Sequence, residues 1–191
     1  MTNKPSTTRS KILLSAELLF ATKRFHEVRM EDLAVRAGVG KGTIYRYFKD
    51  KKELYVALLK EASTDLILLI EKAIEQQKSC VNKLIHLVKA SITLFDAKPH
   101  LFDLILQAEA LQRNEGEFPW QQTRSNVIQI VESIFKLAEG RKEFTIEDPK
   151  NAALQLLGGL RAVIRFGKKP RHEHLSFNMV QHFLNGFSTP A

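Results

Sequence analysis

Two short stretches with helical spacing, Glu31–Ala37 and Lys41–Phe48, are separated by only Gly38-Val39-Gly40. Three residues cannot form a strand or a wandering loop, so the two helices must turn sharply against each other, with Gly38 supplying the positive φ that such a corner demands. Small Ala34 permits close approach, and Leu33, Ala37, Val39, Ile44 and Phe48 supply an apolar inside. Two short helices joined by a glycine-containing turn form a helix-turn-helix, whose second helix suits a major groove. Ile44, Tyr47 and Phe48 fall on one face at i, i+3 and i+4 and are expected to point inward. Lys41, Gly42, Thr43, Tyr45 and Arg46 are then left outward: cations, a hydroxyl, a phenol and a glycine, a set suited to phosphates and base edges.

Helical spacing extends over the rest of the chain, and no segment alternates as a strand would. The spacing predicts an all-α protein of about nine helices. These lie near 7–23, 31–37, 41–48, 51–77, 80–97, 99–113, 119–139, 149–167 and 172–186, separated at Pro99, the Asn114–Pro119 loop, Gly140, Pro149 and Pro170. In the first helix Ile12, Ala16, Leu19 and Phe20 form the buried stripe. Asp50, with Glu53 three residues on, reads as the capping box of the long fourth helix.

Charge divides the chain unevenly. Residues 1–60 hold 13 Lys/Arg and 6 Asp/Glu, whereas residues 61–191 hold 16 and 15. A net +7 suggests contact with a polyanion, nucleic acid or an anionic membrane surface, or else a merely solubilising basic face; its coincidence with the helix-turn-helix favours double-stranded DNA. The single cysteine, Cys80, excludes a disulfide scaffold and, with no cationic neighbour in sequence, reads as an inert thiol. The N-terminus has no apolar leader, and the longest purely apolar run is about Leu66–Ile70, far too short for a bilayer, so a soluble cytoplasmic protein without a membrane partner is expected.

Other signals are set aside. Gly38–Thr43 lacks the Gly-Lys-Ser/Thr ending and preceding strand of a phosphate-binding loop. His172 and His174, two apart on the expected last helix, point to different sides and suit no single metal. No nucleophile–base or paired-carboxylate pattern stands out, so no catalytic residue, metal or cofactor is assigned. A helical enzyme, or an adaptor that uses its helix-turn-helix to bind protein, remains the alternative.

The segment from about Lys11 to Leu59 resembles the TetR-type transcriptional repressors, through Ala16-Glu-Leu-Leu-Phe20, Phe25, Leu33-Ala-Val-Arg-Ala-Gly-Val39, Lys41-Gly-Thr-Ile-Tyr-Arg-Tyr-Phe48 and Lys51-Lys-Glu-Leu54. The resemblance implies a helix-turn-helix at about 29–48 within a three-helix DNA-binding domain of residues 1–52, and a ligand-binding and dimerisation domain of residues 53–191. Lys41, Gly42 and Thr43 would then meet base edges or adjacent backbone, Tyr45, Tyr47 and Lys51 phosphates, and Arg46 either. Arg29 stands near the place of a usual hydroxyl pair and would be its cationic substitute; Gly40 replaces a usual Ser/Thr N-cap. The resemblance further implies a homodimer on a palindromic operator and a small-molecule effector of unnamed kind. Phe95, Phe102, Gln107, Trp120 and Arg124 are candidate pocket residues. Leu154, Leu157, Gly158, Arg161 and Ile164 are candidates for the dimer interface, where Gly158-Gly159 within a helix suggests close backbone approach or a kink.

Overall fold

The structure is a computed structural model that describes residues 7–111 and 119–187. Among these residues it is built of α1 (Thr8–Thr22), a 3-10 turn (Phe25–Glu27), α2 (Met30–Ala37), α3 (Lys41–Tyr47), α4 (Lys51–Glu75), α5 (Cys80–Ala97), α6 (Pro99–Leu111), α7 (Pro119–Gly140), α8 (Pro149–Phe166) and α9 (Leu175–Phe187). The all-α expectation holds, and most boundaries fall within two residues of those read from the sequence. The 114–118 part of the expected loop lies outside the described residues. The 3-10 turn is new, and the last helix starts three residues later than expected.

The helix ends follow from local chemistry. The Thr7 hydroxyl accepts from the Ser10 backbone N–H at 3.2 Å at the start of α1, and the Asp148 carboxylate accepts from that of Asn151 at 3.0 Å at the start of α8. At α4 the Asp50 carboxylate accepts from the Glu53 N–H at 2.8 Å. Glu53 does not close the expected box on Asp50; it reaches one residue further back, to the Lys49 N–H at 2.6 Å.

The chain divides into two compact units. The first runs to Ser63 and takes in α6; the second takes in the chain from Thr64 to Ala97 and from Gln122 onward. In the first unit α1 packs on α2 and α6, and α2 on α3. Its core includes the whole α1 stripe of Ile12, Ala16, Leu19 and Phe20, with Leu33, Ile44, Leu54, Tyr55 and Leu104. Phe20, Phe25 and Tyr55 cluster with ring centroids 5.0–5.9 Å apart, an arrangement that adds directional contact to apolar burial. Burial pushes the Tyr55 phenol above its ordinary range, and its hydroxyl donates to the Leu104 carbonyl at 2.6 Å, tying α4 to α6.

In the second unit α5, α8 and α9 pack on one another around Leu84, Leu87, Val88, Leu156, Leu160 and Val180. Arg171 fastens this corner: its guanidinium grips the Asp96 carboxylate at 2.9 and 3.0 Å and donates to the Val163 and Ile164 carbonyls at the end of α8. A cation at a helix C-terminus faces the negative end of the helix dipole, and here it adds to the bond that the Val163 carbonyl already accepts from the Gly167 N–H at 2.9 Å. Cys80 is buried, and burial, helped by the Glu143 carboxylate, pushes its thiol up to about 11. Arg141 and Lys83 do stand near enough to oppose that shift, a correction to the cation-free surroundings read from sequence. They are outweighed, and the thiol remains protonated at neutral pH.

Candidate nucleic-acid interface

The corner between α2 and α3 is closed by hydrogen bonds that need no side chain. Gly38 has φ 65° and ψ 36°, and its N–H donates to the Val35 carbonyl at 3.1 Å while that of Val39 donates to Ala34 at 3.0 Å. This paired bonding ends α2 and turns the chain within two residues. Leu33, Ala34, Ile44 and Phe48 are buried beneath the corner, and Ala37 and Val39 are half-buried at its edge. Gly40 begins α3 without a side-chain cap, as its identity implies.

With Ile44 fully buried, α3 turns a continuous surface outward. Lys41, Gly42 and Arg46 are exposed, Thr43 is half-buried, and Tyr45 retains 41% of its surface. Tyr47 corrects the inward placement expected from i, i+3 spacing: it is 36% exposed, and its ring lies 5.5 Å from the Arg46 guanidinium. The reason is geometric. Phe48 caps α3 in an extended conformation (φ −141°, ψ 116°), so the core is filled by Ile44 and a residue outside the helix, leaving Tyr47 at the rim.

The flanking cations are not equivalent. Arg29 is exposed at the start of α2 and gives that helix no side-chain cap. Lys51, expected to reach a phosphate, donates to the Val28 carbonyl at 2.8 Å and lies 4.6 Å from the Phe25 ring centroid. Burial holds its ammonium below the ordinary lysine range. One of its three N–H groups is thus engaged, and α4 is pinned to the segment ahead of α2. Lys41 pairs with Glu31 at 2.8 Å, which raises the lysine above its ordinary range and lowers the carboxyl below its own. Sequence reasoning missed Glu31, because a pair spanning the corner at separation ten follows no helical spacing rule. Arg9 of α1, also missed, stacks 5.7 Å from the Phe48 ring and pairs with Glu61.

The other candidate residues separate by unit. Phe102, Gln107 and Trp120 belong to the first unit; Phe102 is buried, Trp120 half-buried, and the Gln107 side chain lies outside the described set. Phe95 and Arg124 belong to the second, the one buried and the other exposed. On α8, Leu154 is 49% exposed, Gly158 and Arg161 are exposed, and Leu157 and Ile164 are half-buried. The paired glycines have different surroundings. A Cβ on Gly159 would meet the Met179 methyl at 3.5 Å, whereas one on Gly158 would meet open space, so no close backbone approach among the described residues explains Gly158. His172 and His174 precede α9 rather than lie on it, and among the described residues no three metal-ligating side chains gather. No described helix is long and apolar enough to cross a membrane.

Comparison with known proteins supplies independent findings. Residues 12–58 match the profile of the bacterial regulatory proteins of the tetR family. The fatty acid metabolism regulator protein of Bacillus subtilis is 30% identical over 104 residues, covering 54% of this chain and 53% of that protein. The chain therefore aligns with about half the length of that curated relative. The transcriptional repressor BepR of Brucella suis is 27% identical over 192 residues, with 95% of this chain and 89% of that protein covered. The solved structure of FadR from Bacillus subtilis in complex with stearoyl-CoA superposes with a TM-score of 0.77 at 19% identity, covering 93% of this chain and 98% of that one, and so shares the fold. The matched residues include the whole Gly38 corner and the outward face of α3, so the segment 12–58 carries the profile of the tetR family of bacterial regulatory proteins.

Proposed function

We propose that the chain is a ligand-responsive, homodimeric DNA-binding transcriptional regulator, and specifically a cytoplasmic repressor released from a palindromic operator by a small-molecule inducer. The observation that carries this reading is the outward face of α3, where Lys41, Thr43, Tyr45, Arg46 and Tyr47 surround a fully buried Ile44. A seven-residue helix with one anchoring side chain has little to gain from an all-polar exterior as packing; as a groove reader it needs one. In this reading Lys41, Gly42 and Thr43 approach base edges. Tyr45, Tyr47, Arg29 and a free N–H of Lys51 meet phosphates, and Arg46 serves either. Two copies set their α3 helices in successive major grooves, with centres about 34–36 Å apart.

Residues 53–191 then sense and pair. Leu154, Leu157, Gly158, Arg161 and Ile164 of α8 form part of the dimer contact, and the open space over Gly158 is where a partner helix would fit. Phe95, Phe102, Gln107, Trp120 and Arg124 are the first positions to examine for the effector. An apolar acyl thioester is the favoured class, because a relative is a fatty acid metabolism regulator and a structure of the same fold holds stearoyl-CoA. The inducer must bind the non-DNA-competent arrangement more tightly, since only differential affinity shifts an equilibrium.

A gel shift on DNA flanking the chain's own gene tests the reading. It predicts a specific complex that competitor DNA of random sequence does not displace, and that a long-chain acyl-CoA dissolves. A helical enzyme predicts no specific complex, and a protein-binding adaptor predicts binding to its partner that survives DNA competitor.

A further inference from the structure

We propose that Glu31 is a specificity-determining residue of the DNA-reading surface: its carboxylate holds the Lys41 ammonium away from the phosphates any duplex offers and yields it to a G·C base edge. This inference rests on the DNA-binding reading above.

The geometry is plain. Glu31 lies in the first turn of α2, Lys41 is the first residue of α3, and their charges meet at 2.8 Å across the Gly38 corner. The two side chains keep 49% and 68% of their surface, so water screens the pair and its contribution to folding is small. Nearby acids are used differently. Asp50 and Glu53 accept from backbone N–H groups at the start of α4, a structural use of charge. Glu31 directs its charge at a cation on the reading helix. Arg29, Lys41 and Arg46 are exposed cations of this helix pair, and Lys41 is the one that Glu31 pairs with.

Phosphates occur along every duplex, and affinity for DNA of any sequence grows with the number of them a protein neutralises. A carboxylate that neutralises Lys41 within the chain removes one charge from that sum. A base pair can reverse the pairing where a phosphate does so poorly. In the major groove a G·C edge offers guanine O6 and N7 as acceptors for the ammonium and the cytosine N4 amino group as donor to the carboxylate, so both ions find partners at once. A phosphate accepts from Lys41 but repels Glu31. The pair therefore lowers general affinity and spares affinity for the right site. Lys41 would be the contacting residue; Glu31 acts chiefly by positioning it.

Selection from a random duplex library with the wild-type protein defines the preferred site. Wild type, Glu31→Gln, Lys41→Ala and the double variant are then titrated on that site and on a scrambled duplex between 50 and 200 mM salt, with melting temperatures confirming that each folds. Glu31→Gln should bind the scrambled duplex about three- to tenfold more tightly, steepen the log K against log salt slope by about one, and lower the specificity ratio by a similar factor. In the Lys41→Ala background the same change should have little effect, because the residue acts through Lys41. Unchanged scrambled-duplex affinity and slope in Glu31→Gln would overturn the inference. So would a gain of undiminished size in the double variant, which would assign the effect to general charge or to the α2 helix end. If wild type selects no sequence at all, the DNA-reading proposal fails first and this one with it.

Discussion

Ile44 decides what every other residue of α3 can do. It is fully buried, and in a seven-residue helix one anchored position fixes the direction of the remaining six. Truncating it to Ala should cost about 2–5 kcal/mol and lower the melting temperature accordingly. Tyr45→Ala removes an exposed phenol and should leave melting nearly unchanged while weakening binding to all sequences by roughly tenfold, as loss of one phosphate contact does. Lys41→Ala or Thr43→Val should instead relax base preference at single positions, by about 1–3 kcal/mol of discrimination. Anisotropy titrations on matched and mismatched duplexes separate the two patterns. Lys51 combines both kinds of role, because its ammonium supports the Val28 carbonyl and the Phe25 ring. Lys51→Ala should lower stability as well as affinity, and a thermal melt without DNA detects the first. Much of this was legible in the residues: glycine at 38 announced positive φ, and the polar identities at 41, 43, 45 and 46 announced an outward face. Tyr47 was misplaced because periodicity assumes the helix continues, and here it ends at that residue. The Glu31–Lys41 and Lys51–Val28 contacts were invisible because tertiary packing, not spacing, brings them together.

At the scale of elements, local signals marked nearly every boundary. Pro99, Pro119 and Pro149 open helices, where a missing N–H is harmless, and Gly38 closes one. Gly38→Ala keeps the space but not the conformation, and should cost about 1–2 kcal/mol because an L side chain disfavours φ 65°. The bonds that join elements were not readable, since Arg171 and Asp96 lie 75 residues apart. That junction makes a pH prediction. Hydrogen bonds from Arg171, then Lys169, hold the Asp96 carboxyl below the usual carboxylate range. A carboxyl whose pKa is lower folded than unfolded contributes its stability fully above the unfolded value, about 4, and loses it as pH falls through the folded one. Asp96→Asn should therefore lower stability at pH 7, by about 1 kcal/mol, and the gap between the two melting temperatures should close in acid below about pH 4. A gap that widens in acid would contradict the assignment.

For the whole molecule, the distribution of charge matters more than its total. The excess sits on residues 1–60, and the remaining chain is close to neutral, so the attraction to a polyanion is concentrated in one segment. The uneven charge and the Gly38 corner were legible in the sequence, and the proposed division of labour rests on them. The effector was not, because the candidate positions Phe95 and Phe102 look in sequence like any buried aromatic. Light scattering should give the mass of two chains for the wild type, and a bulky Gly158→Leu on exposed α8 should shift it toward one while leaving the melt of the chain itself little changed. The central claim, that α3 reads a duplex, is tested most directly by titrating the protein into a fluorescent palindromic duplex from the region flanking its gene and into a scrambled one, at several salt concentrations. The account predicts two chains per duplex, a steep salt dependence, and affinity for the palindrome at least about a thousandfold tighter than for the scramble. Equal affinity for the two duplexes would contradict it.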